Sequence, residues 1–127
     1  MANRICIIED DEGIQDMLKM VLQNAGFDTT VSSDGRSVLE NKNDLPDLYL
    51  LDKQLPGLDG LNICEFLKLN QATKTVPVIM MSAHPNVKEL ALNAGADDFL
   101  EKPFSIKTLL KMIEGYLSEH SFGKALH

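Results

Sequence analysis

Cysteine, positive charge and long apolar runs are all scarce in this chain, and each scarcity excludes something. The two cysteines, Cys6 and Cys64, sit at apolar positions and share no CxxC or other metal-ligand spacing. They read as reduced core thiols, which fits a reducing compartment and excludes a disulfide framework. Lys and Arg total 12 against 19 Asp and Glu, a net charge of -7. That balance argues against direct nucleic-acid binding and against attachment to anionic membranes. No apolar stretch approaches the ~18 residues of a membrane span. Met-Ala-Asn-Arg leads straight into a strand pattern with no signal-peptide core, so a cytoplasmic location is expected. The GxGxxG and P-loop patterns are absent too, which removes a nucleotide-binding reading.

What is present suits one soluble domain. The 127 residues are 44% hydrophobic and 24% charged, with no low-complexity segment. A chain of this length buries roughly two-thirds of its unfolded surface and needs no covalent staple.

The most informative feature is the acidic cluster Glu9-Asp10-Asp11-Glu12, directly after the apolar run Ile5–Ile8. A second run, Leu48–Leu51, stops on Asp52. A third, Val78–Met81, stops on Ser82, and Phe99-Leu100 leads through Glu101 to Lys102-Pro103. Short β-like runs that end abruptly on polar residues suggest parallel strands sharing one carboxyl edge.

Helical periods fill the gaps. Ile14, Met17, Leu18, Val21, Leu22 and Ala25 form one face, with Gly26 as the stop. Phe27–Val31 reads as a strand, Asp34-Gly35 as a turn, Ser37–Asn41 as a weak helix and Asn43–Pro46 as a loop. Asp59 is placed to cap a helix over Leu61–Leu69, and Val76–Met81 is the next strand. Asn86, with Glu89 as reciprocal partner, is expected to cap a helix carrying Val87, Leu90, Ala91 and Ala94, closed by Gly95. Asp98–Glu101 is a last strand, and Ser105 opens a helix with Ile106, Leu109, Leu110, Ile113 and Leu117 on one face.

Five β-then-α units predict an α/β fold: a doubly wound, five-stranded parallel sheet, order 2-1-3-4-5, with five helices on both faces. Ligands in such sheets bind outside the carboxyl ends, where the strand order reverses. The two runs flanking that reversal end in Glu9-Asp10 and in Asp52.

Three carboxylates in one crevice repel unless one protonates or a cation binds. Oxygen-only donors favour a hard cation such as Mg²⁺, with Asp10 and Asp52 as direct ligands and Glu9 acting through a water. Lys102 supplies a fixed positive charge, Ser82 a hydroxyl. Such a set holds phosphoryl oxygens, and Asp52 itself can be the nucleophile. Each residue alone has a plainer reading. Acids before a helix favour its dipole, Asp52 suits a turn, Lys102 suits the surface, and Ser82 caps its own backbone. Their shared position at four strand ends is what outweighs those readings.

At this point the chain resembles the receiver domain of two-component response regulators, of the single-domain, chemotaxis-regulator-like kind, over about residues 3–118. The resemblance rests on four motifs in order: Ile7–Glu12, Leu50–Gly60, Pro77–Ala83 and Ala94–Phe104. It implies a flavodoxin-like fold in which Asp52 accepts a phosphoryl group from a sensor histidine kinase or phosphotransfer protein. It further implies Glu9, Asp10, Asp52 and the Gln54 carbonyl as the Mg²⁺ site. Ser82, Ala83 and Lys102 would hold the phosphate, Ser82 and Phe99 would form the switch, and Lys102-Pro103 would be cis.

The stretch between Ser82 and Lys102 is slightly short for that family, so the fourth helix or its leading loop is expected to be trimmed. Gln54 and His84 occupy positions that tune phosphate loss. Residues 119–127 are expected to be a C-terminal tail too short for an output domain. The expected protein is thus a monomer, or a phosphorylation-dependent dimer, that signals to a downstream protein target. A phosphorylation-independent adaptor is the rival within the family. A haloacid-dehalogenase-type phosphatase is disfavoured, because no Asp-x-Asp-x-Thr follows the first strand.

Overall fold

The computed structural model describes residues 2–40 and 45–125, with side chains through 117. Among the described residues, ten elements alternate. They are β1 (Arg4–Ile8), α1 (Glu12–Asn24), β2 (Asp28–Ser32), α2 (Arg36–Glu40), β3 (Leu48–Asp52), α3 (Gly60–Leu69), β4 (Val78–Ser82), α4 (Val87–Asn93), β5 (Asp98–Glu101) and α5 (Ile106–Ala125). The strands form one parallel sheet in the order β2-β1-β3-β4-β5. Asn41, Asn43 and Asp44, assigned from sequence to a helix end and a loop, lie outside the described residues.

Both sheet faces are covered, and strand alternation sorts the core into two layers. Ile5, Ile7, Leu48, Leu50, Ile79, Met81 and Leu100 face α1 and α5, meeting Leu18, Leu22, Leu109 and Ile113. Cys6, Ile8, Tyr49, Leu51, Val78, Met80 and Phe99 face the other way, against Ile63, Cys64 and Leu67 of α3 and Val87 and Ala91 of α4. Every residue of β3 and β4 is buried, which is why those runs are apolar without interruption.

Local signals act largely as their chemistry dictates. Asp59 accepts the Leu61 N–H at 2.9 Å, and Ser105 Oγ accepts the Thr108 N–H at 3.0 Å. Gly26 and Gly95 end their helices with φ of 96° and 103°, a region costly for any residue with a Cβ.

Three expectations shift. Asn86 makes no side-chain capping bond, because its φ of -69° and ψ of -12° are already helical. The first amides of α4 go instead to the carbonyls of His84 and Pro85, leaving Glu89 no reciprocal role. The fourth strand begins at Val78 rather than Val76, since the Val76 N–H closes a turn onto Thr73 and Pro77 has no N–H to donate. Phe27 stays out of β2 because its N–H bonds back to Leu22 in the helix stop. α4 is short, and α5 continues past Ser118 to Ala125. Among the described residues, no helix is long and apolar enough to cross a membrane.

Candidate functional site

Four of the five strands deliver polar groups to the carboxyl edge. β1 delivers Glu9 and Asp10, β3 ends on Asp52, β4 ends on Ser82, and β5 runs out into Lys102. Glu9, Asp52 and Ser82 are buried, whereas Asp10 is exposed. Ligand oxygens of Glu9, Asp10 and Asp52 all lie within 4.8 Å of one another.

The other two acids of the cluster have ordinary helical work. Asp11 caps α1, its Oδ1 accepting the Ile14 N–H at 2.9 Å, and Glu12 sits in the first turn at the positive end of the dipole. The plain reading of an acidic helix start is therefore right for two residues of the four.

Lys102 reaches in from the opposite side. Its Nζ donates to Glu9 Oε1 at 2.9 Å and to Asp52 Oδ1 at 3.3 Å. The Lys102 N–H is held by the Ser82 carbonyl at 2.8 Å, and the Lys102-Pro103 peptide is cis. Burial pushes the Glu9 carboxyl up, the Asp52 charge adds to this, and Lys102 and the Asp11 N–H oppose it; the result is a raised pKa. For Lys102 burial is the largest effect and acts downward. The hydrogen bond to Glu9 and the charges of Asp52 and Glu9 outweigh it, so the ammonium is held above its ordinary range.

The rest of the expected set stands on β4, β5 and the loops that follow β3 and β4. Ser82 Oγ accepts the His84 N–H at 3.1 Å, and Ala83 lies between the two. Gln54 follows Asp52 in the loop after β3 and pairs with Asp59 in an isolated antiparallel bridge. Phe99 is buried beside Val87 and Ala91, in register with Met80, two residues before Ser82. Beside Lys102 opens an apolar cleft of about 310 Å³, lined by Ile14, Met17, Ala83, Pro103 and Phe104.

Two residues escaped the sequence reading. Gly60 enters there only as the end of the Leu50–Gly60 motif, yet the loop after β3 folds back so tightly that a Cβ on it would lie 2.3 Å from the Asp52 carbonyl and 2.7 Å from Lys53 Cα. Gln15 donates its side-chain amide to the Glu9 carbonyl and, at 3.3 Å, to Ser33 Oγ. A glutamine on the first turns of a helix carries no sequence signal for such a contact.

Comparison with known proteins now decides the family. Residues 5–114 match the family model described as the response regulator receiver domain. The chain belongs to that family. The receiver is 39% identical over 120 residues to the DNA-binding response regulator MtrA of Mycolicibacterium paratuberculosis, covering 92% of this chain and 52% of the relative. It thus spans about half the length of the curated relatives it matches. Among solved structures, it superimposes on the receiver domain of the sensor histidine kinase PA1611 from Pseudomonas aeruginosa. That match has a TM-score of 0.85 at 26% identity, covering 93% of this chain and 99% of the other. A CheY-like receiver from Methanospirillum hungatei gives a TM-score of 0.85 at 28% identity, over 97% and 99% of the two chains.

Proposed function

We propose that this receiver takes a phosphoryl group onto Asp52 from a phosphohistidine on a sensor kinase or phosphotransfer protein. The observation that carries the reading is Lys102 bonded to both Glu9 and Asp52, which places a fixed cation against the nucleophile. A carboxylate oxygen of Asp52 attacks phosphorus, a P–O bond forms, the P–N bond breaks, and the imidazole leaves with the electron pair. No base is needed, because an ionised carboxylate has no proton to give up.

The donor set fits a hard cation: oxygen ligands alone, clustered within 4.8 Å, one of them exposed. The PA1611 receiver structure carries a magnesium ion coordinated in its active-site cleft. Here Glu9, Asp10, Asp52 and the Gln54 carbonyl would hold Mg²⁺, which when bound neutralises charge on the transferring oxygens. Lys102 and Ser82 then grip phosphoryl oxygens, with the Ala83 N–H beside them. The apolar cleft next to Lys102 supports seating of the donor's imidazole-bearing segment.

Phosphorylation adds close to two negative charges. The Ser82 hydroxyl is drawn from the His84 N–H onto the phosphoryl group, and Phe99 repacks into the space behind it. The surface around Val87, Leu90 and α5 changes as a shift between two populated packings. That surface is the proposed signal to a downstream protein. A net charge of -7 supports protein contacts over direct nucleic-acid contacts for this chain. No turnover of external phosphate esters is expected.

The test is incubation with Mg²⁺ and a small-molecule acyl phosphate, followed by intact mass and peptide mapping. One phosphoryl group is expected on Asp52, absent in Asp52→Asn and absent without Mg²⁺. An unmodified wild-type protein would favour an adaptor that binds without phosphorylation.

A further inference from the structure

We infer that Gln15 is a positioning residue for the cation site, holding the backbone on both sides of Asp10. The inference rests on the proposed Mg²⁺-dependent reading. Asp10 is the exposed member of the carboxylate set, so its loop, not a packed side chain, must aim it.

Gln15 closes that loop with two donors. Its backbone N–H bonds the Asp11 carbonyl at 2.9 Å, and its side-chain amide bonds the Glu9 carbonyl. The carbonyls flanking Asp10 are therefore both tied to one residue on α1. The remaining side-chain bond, to Ser33 Oγ at 3.3 Å, anchors the clamp to the turn after β2. From the same side, the Glu9 N–H donates to the Ser32 carbonyl at 3.1 Å, and Ser32 Oγ accepts from the Gly35 N–H at 3.0 Å and the Ser37 hydroxyl at 3.0 Å. The acidic loop is thus fastened on its outer flank to the loop joining β2 and α2.

The physical consequence is preorganisation. A free loop must be ordered each time a cation binds, and that entropy opposes binding. A loop already closed by Gln15 offers Asp10 in place, as outer hydrogen bonds around metal ligands commonly do. The donor is the essential feature. An ionised glutamate has the same shape but only accepts, so it cannot serve the Glu9 carbonyl.

Two variants separate this from bulk charge. Gln15→Met keeps length and removes the donor; Gln15→Glu removes the donor and adds a negative charge near the site. Mg²⁺ affinity is measured by calorimetry at pH 8, with urea denaturation to confirm that each variant is folded. About tenfold weaker binding is expected for both. Charge alone predicts the opposite for Gln15→Glu, namely tighter binding. In the metal-free wild type, the Gln15 side-chain amide protons should exchange slowly with solvent in NMR spectra. At saturating Mg²⁺ the acyl-phosphate rate of Gln15→Met should return to within about twofold of wild type, since the residue positions a ligand and touches no reacting atom.

Wild-type affinity in both folded variants, or tighter binding by Gln15→Glu alone, would overturn the inference while leaving the proposed function intact. Failure of the wild-type protein itself to bind Mg²⁺ would overturn the proposed reading and this inference together.

Discussion

Lys102 Nζ stands 2.9 Å from Glu9 Oε1 although 93 positions separate the two residues in the chain. β1 and β5 are not neighbours in the sheet, so the contact spans the carboxyl ends of β3 and β4 and encloses Asp52. The site's electrostatics follow from that bridge. One ammonium offsets two buried carboxylates and leaves Asp10 toward solvent.

Removing the ammonium should be costly for both stability and transfer. In Lys102→Met, Glu9 and Asp52 face one another without compensation, a loss of about 1–3 kcal/mol at pH 7 for a pair partly open to water. Urea denaturation of the metal-free protein measures it, and part of the loss should be regained on acidification as Glu9 protonates. Phosphorylation by a small acyl phosphate should slow at least about tenfold.

Glu9 should leave a mark on the pH dependence of the metal-free protein. Its folded pKa is raised above 4.5, chiefly by burial. Between the unfolded and folded values the native state holds a proton that the unfolded chain has lost. Stability therefore falls as pH rises through that window. Glu9→Gln should lack this component, so the wild-type minus variant stability difference, followed by urea melts in pH steps above 4.5, should decline with pH. A flat difference would show that Lys102 compensates the charge fully. The same variant should bind Mg²⁺ at least about tenfold more weakly.

Gly60 should tolerate no side chain. A Cβ there would press on the Asp52 carbonyl at 2.3 Å and on Lys53 Cα at 2.7 Å, which are backbone atoms and cannot swing aside. Gly60→Ala is expected to lose about 1–3 kcal/mol by overpacking. Because the nearest displaced atom is the Asp52 carbonyl oxygen, phosphorylation of Asp52 should slow even where the variant is fully folded. Normal kinetics in a folded Gly60→Ala would show that the loop relaxes without moving the acceptor.

At alkaline pH, Cys64 and Tyr49 should together erode stability. Burial pushes the Cys64 thiol from 9.0 to about 11 and the Tyr49 hydroxyl from 10.0 to about 12. Both groups stay protonated in the folded state after the unfolded chain has lost those protons. The stability they contribute is complete below pH 9 and is lost as pH rises through 11 and 12. Each accounts for about 2–3 kcal/mol over its window. Denaturation midpoints in 0.5-unit steps, roughly the resolution such shifts require, should fall steeply there. At pH 8, Cys64 should resist a disulfide reagent until urea exposes it.

Much of the fold was legible because its periods are pure. A parallel sheet covered on both faces makes Leu48–Leu51 and Val78–Met81 apolar at every position, and amphipathic helices between them admit few topologies. The acid, hydroxyl and ammonium ending each run were visible for the same reason. Asn86 misled because a capping sequence says nothing about whether the preceding turn is already helical. Val76 misled because its N–H closes a turn onto the Thr73 carbonyl at 2.9 Å, a turn that the apolar pattern does not reveal, and its carbonyl takes the Lys68 ammonium.

Composition and pattern, taken alone, determined the class of fold and the sheet edge on which the acids, the hydroxyl and the ammonium gather, since these depend on local hydrophobicity and side-chain type. Only the folded chain decided that Asp11 turns away to cap α1, that Lys102 pairs with Glu9, and that Gln15 and Gly60 shape the loops around Asp10 and Asp52. Those outcomes depend on distances between strands far apart in sequence, and a linear pattern carries no measure of such distances.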